Sequence, residues 1–444
     1  MNEPSISIGI LTSEQINFDL YGEFTSPGLS KKISGRYNAR LENDKIVVEQ
    51  EGKIILSGLE IIITPNEMET ESFLLRDVII GKSFHWEKKE NQRFRGELKL
   101  IKEENKITAV NNISLEEYLT SVVSSEMSAN SSLQLLKAHA IVSRGWLLAQ
   151  LENKRNNSSQ KSINEFITEN EIIRWYDRED HANYDLCADD HCQRYQGVTK
   201  IINDNAINAV ESTRGLVLVY DNKICDTRYS KCCGGMSESF ENVWEPVKHH
   251  YLAPIVDYKF ELDGIDYDLT QEQPAEHWIK SNPHAFCNTT DKKILSQILP
   301  EFDRQTDNFF RWQVEYSQEE LSEIIKTKSG IDFGNIIDLI PIERGYSGRI
   351  NKLKIIGDKK VLTIGKELEI RKTLSKSHLY SSAFIAIKEM KPGEIPVKFV
   401  LKGAGWGHGV GLCQIGAAVM GARGYDFDAI LLHYFKAAKI QKIY

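Results

Sequence analysis

The sequence lacks long hydrophobic runs and is poor in cysteine and proline, with 7 Cys and 11 Pro among 444 residues. Its longest apolar stretches, such as Ile61–Ile63 and Ile430–Leu432, fall far short of the roughly 20 residues that a membrane-spanning helix needs. So few cysteines, unevenly placed, do not make a disulfide scaffold. We therefore predict a globular chain without a membrane span, in which the clustering of the cysteines matters more than their number.

An excess of positive charge is also missing. Lys and Arg number 55 against 63 Asp and Glu, for a formal net charge of −8. Without a basic field to attract polyanions, nucleic acid is not expected as a partner. The N-terminus shows neither the basic segment nor the continuous apolar core of an export signal. It alternates Ile6, Ile8 and Ile10 instead, as a half-buried strand does.

The length exceeds the roughly 250 to 300 residues at which one hydrophobic core stops growing, so two or three domains are expected. Strand patterns punctuated by Gly, Asn and Asp dominate up to about Ala109. They lie at Ile6–Ile10, Ile46–Val48, Ile54–Leu56, Leu59–Ile63, Phe84–Trp86 and Leu98–Ile101. These patterns predict a β-rich N-terminal domain over residues 1–110.

Helical patterns begin after these strands. Ser114 and Glu117 have the spacing of a capping box and predict a helix that runs to about Met127. A second, buried helix is predicted from Ser131 or Ser132 through Leu151, where apolar or small residues lie on several faces.

Residues 262–397 differ in pattern from the segments on either side. They predict a capped helix over Ser317–Lys328 that ends at Gly330, and a hairpin of Leu353–Ile356 and Val361–Ile364. A short C-terminal helix is expected around Phe427–Phe435. We predict an α+β fold with a β-rich N-terminal domain, a mixed α+β core from residues 111–261 and 398–444, and an inserted α+β subdomain at 262–397.

Reactive residues are densest in one short segment. His181, Cys187, His191 and Cys192 lie within twelve positions. Two thiolates and two imidazoles form a ligand set that Zn²⁺ takes in closed, structural sites. We predict a structural zinc ion here; the alternative is a Cys187–Cys192 disulfide beside two unrelated histidines.

A single carboxyl group near the end of the first predicted helix is a candidate acid. Glu126 stands amid Val122, Val123 and Met127, and poor solvation favours the protonated form of a carboxyl group. Such a group can protonate a glycosidic oxygen. The alternative is an exposed charge at a helix end, which is the commoner environment of glutamate.

Two glycine-containing segments suggest close approach by a ligand or by another stretch of backbone. In the first, every second residue from Gly403 to Gly411 is Gly, with Trp406 and His408 between them. The second runs from Tyr229 to Glu238 and contains adjacent Cys232 and Cys233, which hint only weakly at a metal or redox role. A phosphate-binding loop, a serine-hydrolase elbow and a zinc-protease motif are all missing.

Together these segments resemble the SpoIID/LytB family of sporulation lytic transglycosylases and amidase enhancers. The resemblance rests on three blocks and covers about residues 114–251 and 403–444. The first block is Leu115–Met127 with Leu136-Lys-Ala-His-Ala and Arg144. The second block is Tyr229–Glu238 with Trp244, and the third is Gly405–Ala417.

The resemblance implies a peptidoglycan lytic transglycosylase in the cell envelope with Glu126 as catalytic acid. Glu126 would protonate the oxygen between muramic acid and glucosamine, then accept a proton from the C6 hydroxyl that closes a 1,6-anhydro ring. The implied substrate is a glycan strand without stem peptides. The implied substrate-binding residues are Arg144, Tyr229, Ser230, Gly234, Gly235, Trp406, His408 and Gln414. Some members bind zinc through a His/Cys/His/Cys set, which His181, Cys187, His191 and Cys192 match.

Two other functions remain open at this point. The first is a non-enzymatic wall-binding protein that stimulates an N-acetylmuramoyl-L-alanine amidase. The second is a zinc-stabilised scaffold protein of the cytoplasm, which the lack of an export signal would suit.

Overall fold

A computed structural model describes residues 2–81, 87–128, 131–156, 164–176, 181–189, 192–201, 203–259, 268–298, 308–390 and 395–444. Its strands, in chain order, are β1 (Ser5–Ser13), β2 (Gln15–Thr25), β3 (Ile33–Glu42), β4 (Lys45–Gln50), β5 (Lys53–Gly58), β6 (Glu60–Pro65), β7 (Ser72–Ile80), β8 (Lys88–Phe94), β9 (Glu97–Glu103), β10 (Lys106–Ser114), β11 (Glu165–Ile167), β12 (Glu171–Arg174), β13 (Leu186–Cys187), β14 (Leu216–Tyr220), β15 (Lys223–Ile224), β16 (Tyr229–Ser230), β17 (Arg311–Ser317), β18 (Ile336–Arg344), β19 (Ile350–Gly357), β20 (Val361–Gly365), β21 (Phe384–Met390), β22 (Pro396–Ala404), β23 (Leu412–Cys413) and β24 (Lys439–Lys442).

The helices, in chain order, are α1 (Leu115–Glu126), α2 (Leu133–Asn156), α3 (Asn205–Ser212), α4 (Phe240–Val243), α5 (Glu272–Lys280), α6 (Lys292–Ile298), α7 (Gln318–Ser329), α8 (Glu367–Thr373), α9 (Gln414–Ala422) and α10 (Phe427–Tyr434). None of the helices in the described part of the chain is long and apolar enough to cross a membrane.

The chain divides into two compact units. The first comprises Met1–Arg144, Arg178–Leu216 and Lys442–Tyr444, and the second comprises Gly145–Asp177 and Val217–Gln441. Each unit therefore contains segments that are distant in sequence.

The first unit is built on an eleven-stranded sheet. Its main path runs β13-β1-β10-β9-β6-β2-β3-β4-β5, and β7 pairs with β2 and β8. All of the pairs are antiparallel except β1 with β13. Tight turns suit this arrangement: Asn43 and Asp44, between β3 and β4, have φ angles of 46° and 68°, as a type I′ hairpin requires. Alternate residues such as Ile6 and Ile8 are buried.

The second unit contains several smaller sheets. A five-stranded sheet has the order β11-β12-β20-β19-β18, and a three-stranded sheet has the order β17-β22-β21. A further three-stranded sheet has the order β15-β14-β24, and β16 and β23 form a short parallel pair. Helix α7 and the two larger sheets share one hydrophobic core. Its buried residues include Leu321 and Ile325 from α7, Leu353 and Ile355 from β19, and Phe399 and Leu401 from β22.

The structure confirms the α+β fold with a β-rich N-terminus. Both predicted helix caps are present: Ser114 Oγ accepts from the Glu117 N–H at 3.4 Å, and Ser317 Oγ accepts from the Glu320 N–H at 3.1 Å. Helix α7 ends at Gly330, whose φ is 73°, the left-handed conformation that glycine adopts readily at this position. The hairpin of β19 and β20 also forms as expected.

Other predictions were incomplete or were not confirmed. The strand predicted at Phe84–Trp86 lies outside the described residues. Sequence reasoning did not identify β2, β3, β7, β8 and β10 as separate strands. The domain boundaries at 110, 261 and 397 remain predictions.

Candidate functional site

Glu126 is the last residue of α1 and is half-buried. The helix stops there because Met127 takes an extended backbone conformation, with its N–H bonded to the Val123 carbonyl. The main-chain N–H of Arg194 donates to Glu126 Oε1 at 3.0 Å. This hydrogen bond fixes the orientation of the carboxyl group.

The segment that supplies this N–H is itself held against α1. The ring of Tyr195 stacks on that of Tyr118 with centroids 5.1 Å apart, and its hydroxyl donates to Asn111 Oδ1 at 2.6 Å. The Tyr118 hydroxyl donates to Gln193 Oε1 at 3.3 Å. Burial raises the pKa of both tyrosines, so each stays a neutral hydrogen-bonding group.

Arg144 lies in the interior of the first unit. Its side chain is 0% exposed, and its Nε and Nη2 donate to the two Glu116 oxygens at 3.0 and 2.6 Å. Its Nη1 donates to the carbonyl of Leu216 at 3.0 Å. These contacts give Arg144 a structural role, and the predicted contact with substrate stays a prediction.

Three of the four residues predicted to hold zinc lie together. The ligand atoms of His181, Cys187 and Cys192 are all within 4.8 Å of one another. His181 Nε2 is 3.5 Å from Cys192 Sγ, which also accepts from the Cys187 N–H at 3.4 Å. His191 lies outside the described residues. Imidazole and thiolate donors at this separation fit a tetrahedral zinc ion.

The loop of this cluster is anchored to the N-terminal sheet. Strand β13 pairs in parallel with β1, so that Gly9 lies opposite Cys187. Asp185 Oδ2 accepts from the N–H and hydroxyl of Ser7 at 2.9 and 2.8 Å. The ring of Tyr184 covers Gly9 so closely that a Cβ there would be 2.6 Å from it. The cluster is therefore part of the fold of the first unit.

In the second unit the two glycine-containing segments are neighbours. Tyr229 and Ser230 pair in parallel with Leu412 and Cys413. Tyr229 is half-buried, whereas Ser230 is buried, and its Oγ has no hydrogen-bond partner among the described residues. Gln414, also buried, begins α9 directly after this pair.

The glycines allow the segments to come this close. A Cβ on Gly411 would lie 2.1 Å from the Arg228 carbonyl oxygen, and one on Gly234 would lie 2.9 Å from the Gly405 nitrogen. Both glycines have left-handed backbone, with φ angles of 73° and 81°. Gly235 faces the ring of Trp278. At these positions it is the protein itself that approaches the glycine backbone.

Trp406 and His408, which stand between the glycines, are packed and partly exposed. Trp406 stacks on Phe309 with centroids 4.8 Å apart. The ring of His408 packs on that of Trp244 with centroids 4.8 Å apart, and His408 Nδ1 accepts from the Val410 N–H at 3.0 Å. Burial, helped by the charge of nearby arginines, holds the pKa of His408 well below its ordinary value. The imidazole is therefore neutral, with its proton on Nε2.

Arg349 is a residue of this region that sequence reasoning missed. It is 2% exposed. Its Nε and Nη2 donate to the Gly407 carbonyl at 3.1 and 3.0 Å, and its Nη1 donates to the Cys233 carbonyl at 3.2 Å. It therefore ties the two glycine-containing segments to β19. One arginine in a long insert carries no local sequence signal of such a role.

A second cluster of possible metal ligands lies in the same unit. Cys233, Asp257, Cys287 and Cys413 are all buried, and their ligand atoms lie within 4.8 Å of one another. This cluster could hold a metal ion. Sequence reasoning noted Cys233 only weakly and missed Asp257 and Cys287, because each is isolated in sequence from the others.

Ionisation differs among these thiols. Burial raises the pKa of Cys233 and of Cys287 well above the ordinary value. Burial opposes ionisation of Cys413 as well, but hydrogen bonds from Cys232, Cys233 and Cys287 outweigh it and hold the pKa of Cys413 well below its ordinary value. Burial raises the pKa of Asp257.

Residues 103–220, which include Glu126, Arg144 and the His/Cys cluster, match the family described as "Stage II sporulation protein" (SpoIID). This segment of the chain is similar to the SpoIID family. Residues 238–411, which include Asp257, Cys287 and Arg349, match a family described as "Domain of unknown function (DUF8618)". The SpoIID match thus covers the proposed acid, and the second match covers two of the four residues of the Cys/Asp cluster, Asp257 and Cys287.

The curated relatives of this chain have low sequence identity to it. Stage II sporulation protein D of Bacillus amyloliquefaciens is 24% identical over 334 residues, which are 75% of this chain and 76% of the relative. An uncharacterized protein of Brachyspira hyodysenteriae (strain ATCC 49526 / WA1) is 24% identical over 347 residues, 78% of this chain and 72% of the relative. The amidase enhancer of Bacillus subtilis (strain 168) is 23% identical over 254 residues, 52% of this chain but only 32% of the relative.

Proposed function

We propose that this chain is a peptidoglycan lytic transglycosylase of the SpoIID family that acts in the cell envelope, with Glu126 as its catalytic residue. The observation that supports this most directly is the position of Glu126. It is half-buried at the end of α1, inside the segment that matches SpoIID, and a main-chain N–H orients its carboxyl group. A positioned carboxyl group of this kind suits general acid–base catalysis.

In the proposed reaction one carboxyl group acts twice. Glu126 first gives its proton to the glycosidic oxygen between N-acetylmuramic acid and N-acetylglucosamine, and the bond to the anomeric carbon breaks. The carboxylate then takes the proton of the C6 hydroxyl as that oxygen attacks the anomeric carbon. The products are a 1,6-anhydro-muramic end and a shorter strand, and no water or second carboxylate takes part, unlike in most glycosidases.

The proposed substrate is a glycan strand without stem peptides. We propose that Tyr229, Trp406 and His408 contact it, together with the other predicted substrate-binding residues Ser230, Gly234, Gly235, Gln414 and Arg144. The neutral His408 suits a hydrogen bond to a sugar hydroxyl. Arg144, Ser230 and Gln414 are buried, and their burial gives no support to a contact with the glycan.

We further propose that zinc at the first cluster is structural. His181, Cys187, His191 and Cys192 would hold it with four protein ligands, which leaves no open position to activate water. Such an ion would order the loop that ends at Arg194, whose N–H binds Glu126.

A second candidate function is a non-enzymatic enhancer of an N-acetylmuramoyl-L-alanine amidase. The similarity to a protein named amidase enhancer favours it. In that case the chain would bind glycan and stimulate a partner amidase, and Glu126 would not be needed for catalysis.

One experiment separates the two functions. Purified full-length chain is incubated with peptide-stripped glycan strands, and the products are analysed by mass spectrometry. The transglycosylase proposal expects 1,6-anhydro-muramic ends that disappear in Glu126→Gln. Intact strands that remain bound to the chain, together with faster peptide release when an amidase is added, would favour the enhancer function instead.

A further inference from the structure

We propose that Cys233, Asp257, Cys287 and Cys413 form a second, structural metal centre that holds one zinc ion. The proposal does not depend on the transglycosylase function. It concerns a site in the second unit, formed by different residues from the His/Cys cluster of the first unit.

The first support is the separation of the ligand atoms. A zinc–sulfur bond is about 2.3 Å, so two sulfurs at the corners of a tetrahedron around zinc lie about 3.8 Å apart. Cys233 Sγ and Cys287 Sγ are 3.6 Å apart. All four ligand atoms lie within 4.8 Å of one another. The side chains therefore already surround a point at which a zinc ion fits with small adjustments.

The second support is the way in which Asp257 is held. Its Oδ1 accepts from the Tyr434 hydroxyl at 2.7 Å, and its Oδ2 accepts from the Cys287 N–H at 2.9 Å. His433 Nε2 lies 3.7 Å from Oδ1. A carboxylate that is 0% exposed and oriented by neighbouring donors resembles the metal ligands of known sites, whose outer hydrogen bonds fix their orientation. Burying it without a cation nearby would be costly.

The third support is a cation beside the thiols. Three thiolates and one carboxylate around Zn²⁺ leave a net charge of −2, which a protein interior must offset. Arg311 makes four hydrogen bonds, all to main-chain carbonyls, including that of Gly234 next to Cys233. It has no carboxylate partner among the described residues. A partly buried guanidinium in this position would stabilise a negatively charged metal centre.

Zinc binding here requires the loss of thiol protons. Cys233 and Cys287 would each release one proton to solvent on binding, and Cys413 would release one if it were not already a thiolate. No oxidant or reductant takes part. Soft thiolate donors favour zinc over magnesium or calcium, which prefer oxygen ligands.

Such an ion would join segments that are far apart in sequence. Cys233 follows β16, Cys413 ends β23, and Cys287 comes from the part of the chain between them. Closing loops of this length restricts the unfolded chain, so the binding free energy becomes folding free energy of the second unit. A rival arrangement is a disulfide between Cys233 and Cys287, whose sulfurs are close enough to be joined after a small shift.

The test is metal analysis of the full-length chain purified without added metal under reducing conditions. Zinc per chain is measured by elemental mass spectrometry in the Cys187→Ser/Cys192→Ser background, which removes the ligands of the other cluster. We expect one equivalent there, and loss of that equivalent after a further Cys287→Ser or Cys413→Ser substitution. Cys225→Ser is the matched control, because Cys225 is also a buried thiol but lies outside both clusters, and it should retain the metal.

A second measurement covers variants that fail to fold. X-ray absorption at the zinc edge of the Cys187→Ser/Cys192→Ser protein should show a first shell of three sulfurs and one oxygen. Absence of zinc from that protein, a shell without sulfur, unchanged zinc in folded Cys287→Ser, or a Cys233–Cys287 disulfide in the intact-mass spectrum would each overturn the proposal. The proposal would also be overturned if the zinc content fell on replacement of Cys187 and Cys192 but not on replacement of Cys287 or Cys413.

Discussion

The main-chain N–H of Arg194 donates to Glu126 Oε1 at 3.0 Å. Arg194 is only two residues beyond Cys192, whose sulfur lies 3.5 Å from His181 Nε2. The proposed catalytic carboxyl group and the proposed zinc loop are therefore connected through two residues of backbone. A change in the structure of this loop is therefore expected to alter the orientation of the Glu126 carboxyl group.

Glu126→Gln should abolish most glycan cleavage while the chain still folds and binds glycan. The amide keeps the size of the side chain but has no proton to transfer, and loss of a positioned general acid costs about 10² to 10⁴ in rate. The rate of release of anhydro-muramic ends measures the effect. Glu117→Gln, the same change at an exposed position of α1, is the control and should cleave normally. Near wild-type cleavage by Glu126→Gln would show that another residue is the acid.

Cys192→Ser should lower both the melting temperature and the rate of glycan cleavage. The substitution removes a ligand of the proposed zinc ion, whose binding free energy contributes to folding, and it loosens the backbone that leads to Arg194. Calorimetry, metal content and the cleavage assay measure the three effects together. Cys225→Ser should change none of them markedly. Unaltered metal content and stability in Cys192→Ser would contradict the zinc site.

Arg144→Met should destabilise the first unit by about 3 to 5 kcal/mol, because it leaves the buried Glu116 carboxylate without its ion-pair partner. Urea denaturation measures the change. Arg95→Met provides the contrast, since Arg95 pairs with Glu117 at the surface, where both side chains are more than a third exposed. That change should cost no more than about 1 kcal/mol. Equal effects would argue against a structural role for Arg144.

His139→Gln should reduce the loss of unfolding free energy that acidic pH causes. His139 is 0% exposed, and burial lowers its pKa to about 3. In the unfolded chain its pKa is about 6.5, so between these values the unfolded state binds a proton that the native state does not. The free energy of unfolding therefore falls as the pH drops from about 6.5 toward 3, by up to about 1.4 kcal/mol per pH unit.

Urea denaturation at pH 7 and pH 4.5 tests this expectation. The wild-type chain should lose about 2.5 kcal/mol more stability than His139→Gln between these two values. His277→Gln, a change at an exposed position of α5, should behave as the wild type does. Parallel pH profiles for His139→Gln and the wild type would mean that His139 is accessible to protons in the folded state.

Gly411→Ala should be far more destabilising than Gly424→Ala. Both glycines have positive φ, 73° and 84°, so each substitution incurs the left-handed penalty of about 1 to 2 kcal/mol. The new Cβ of Gly411→Ala would also lie 2.1 Å from the Arg228 carbonyl oxygen, whereas Gly424 has open space around it. Thermal melts of the two variants give the comparison, and equal losses would show that the backbone at Gly411 can move aside.

Local patterns determined much of the secondary structure. Ser114 and Ser317 cap α1 and α7, and Gly330 ends α7, because capping depends on residues only a few positions apart. Strand alternation likewise identified β1 and β9. Cys187 and Cys192 lie close to His181 in the sequence, and the structure also brings the ligand atoms of these three residues together.

Only the tertiary structure decided which distant residues meet. It placed Arg144 against Glu116 inside the first unit, and it assembled the Cys/Asp cluster from Cys233, Asp257 and Cys287 with a fourth residue from β23. No local periodicity encodes such contacts, because they depend on how strands far apart in sequence pair and on which side chains burial then forces to find polar partners.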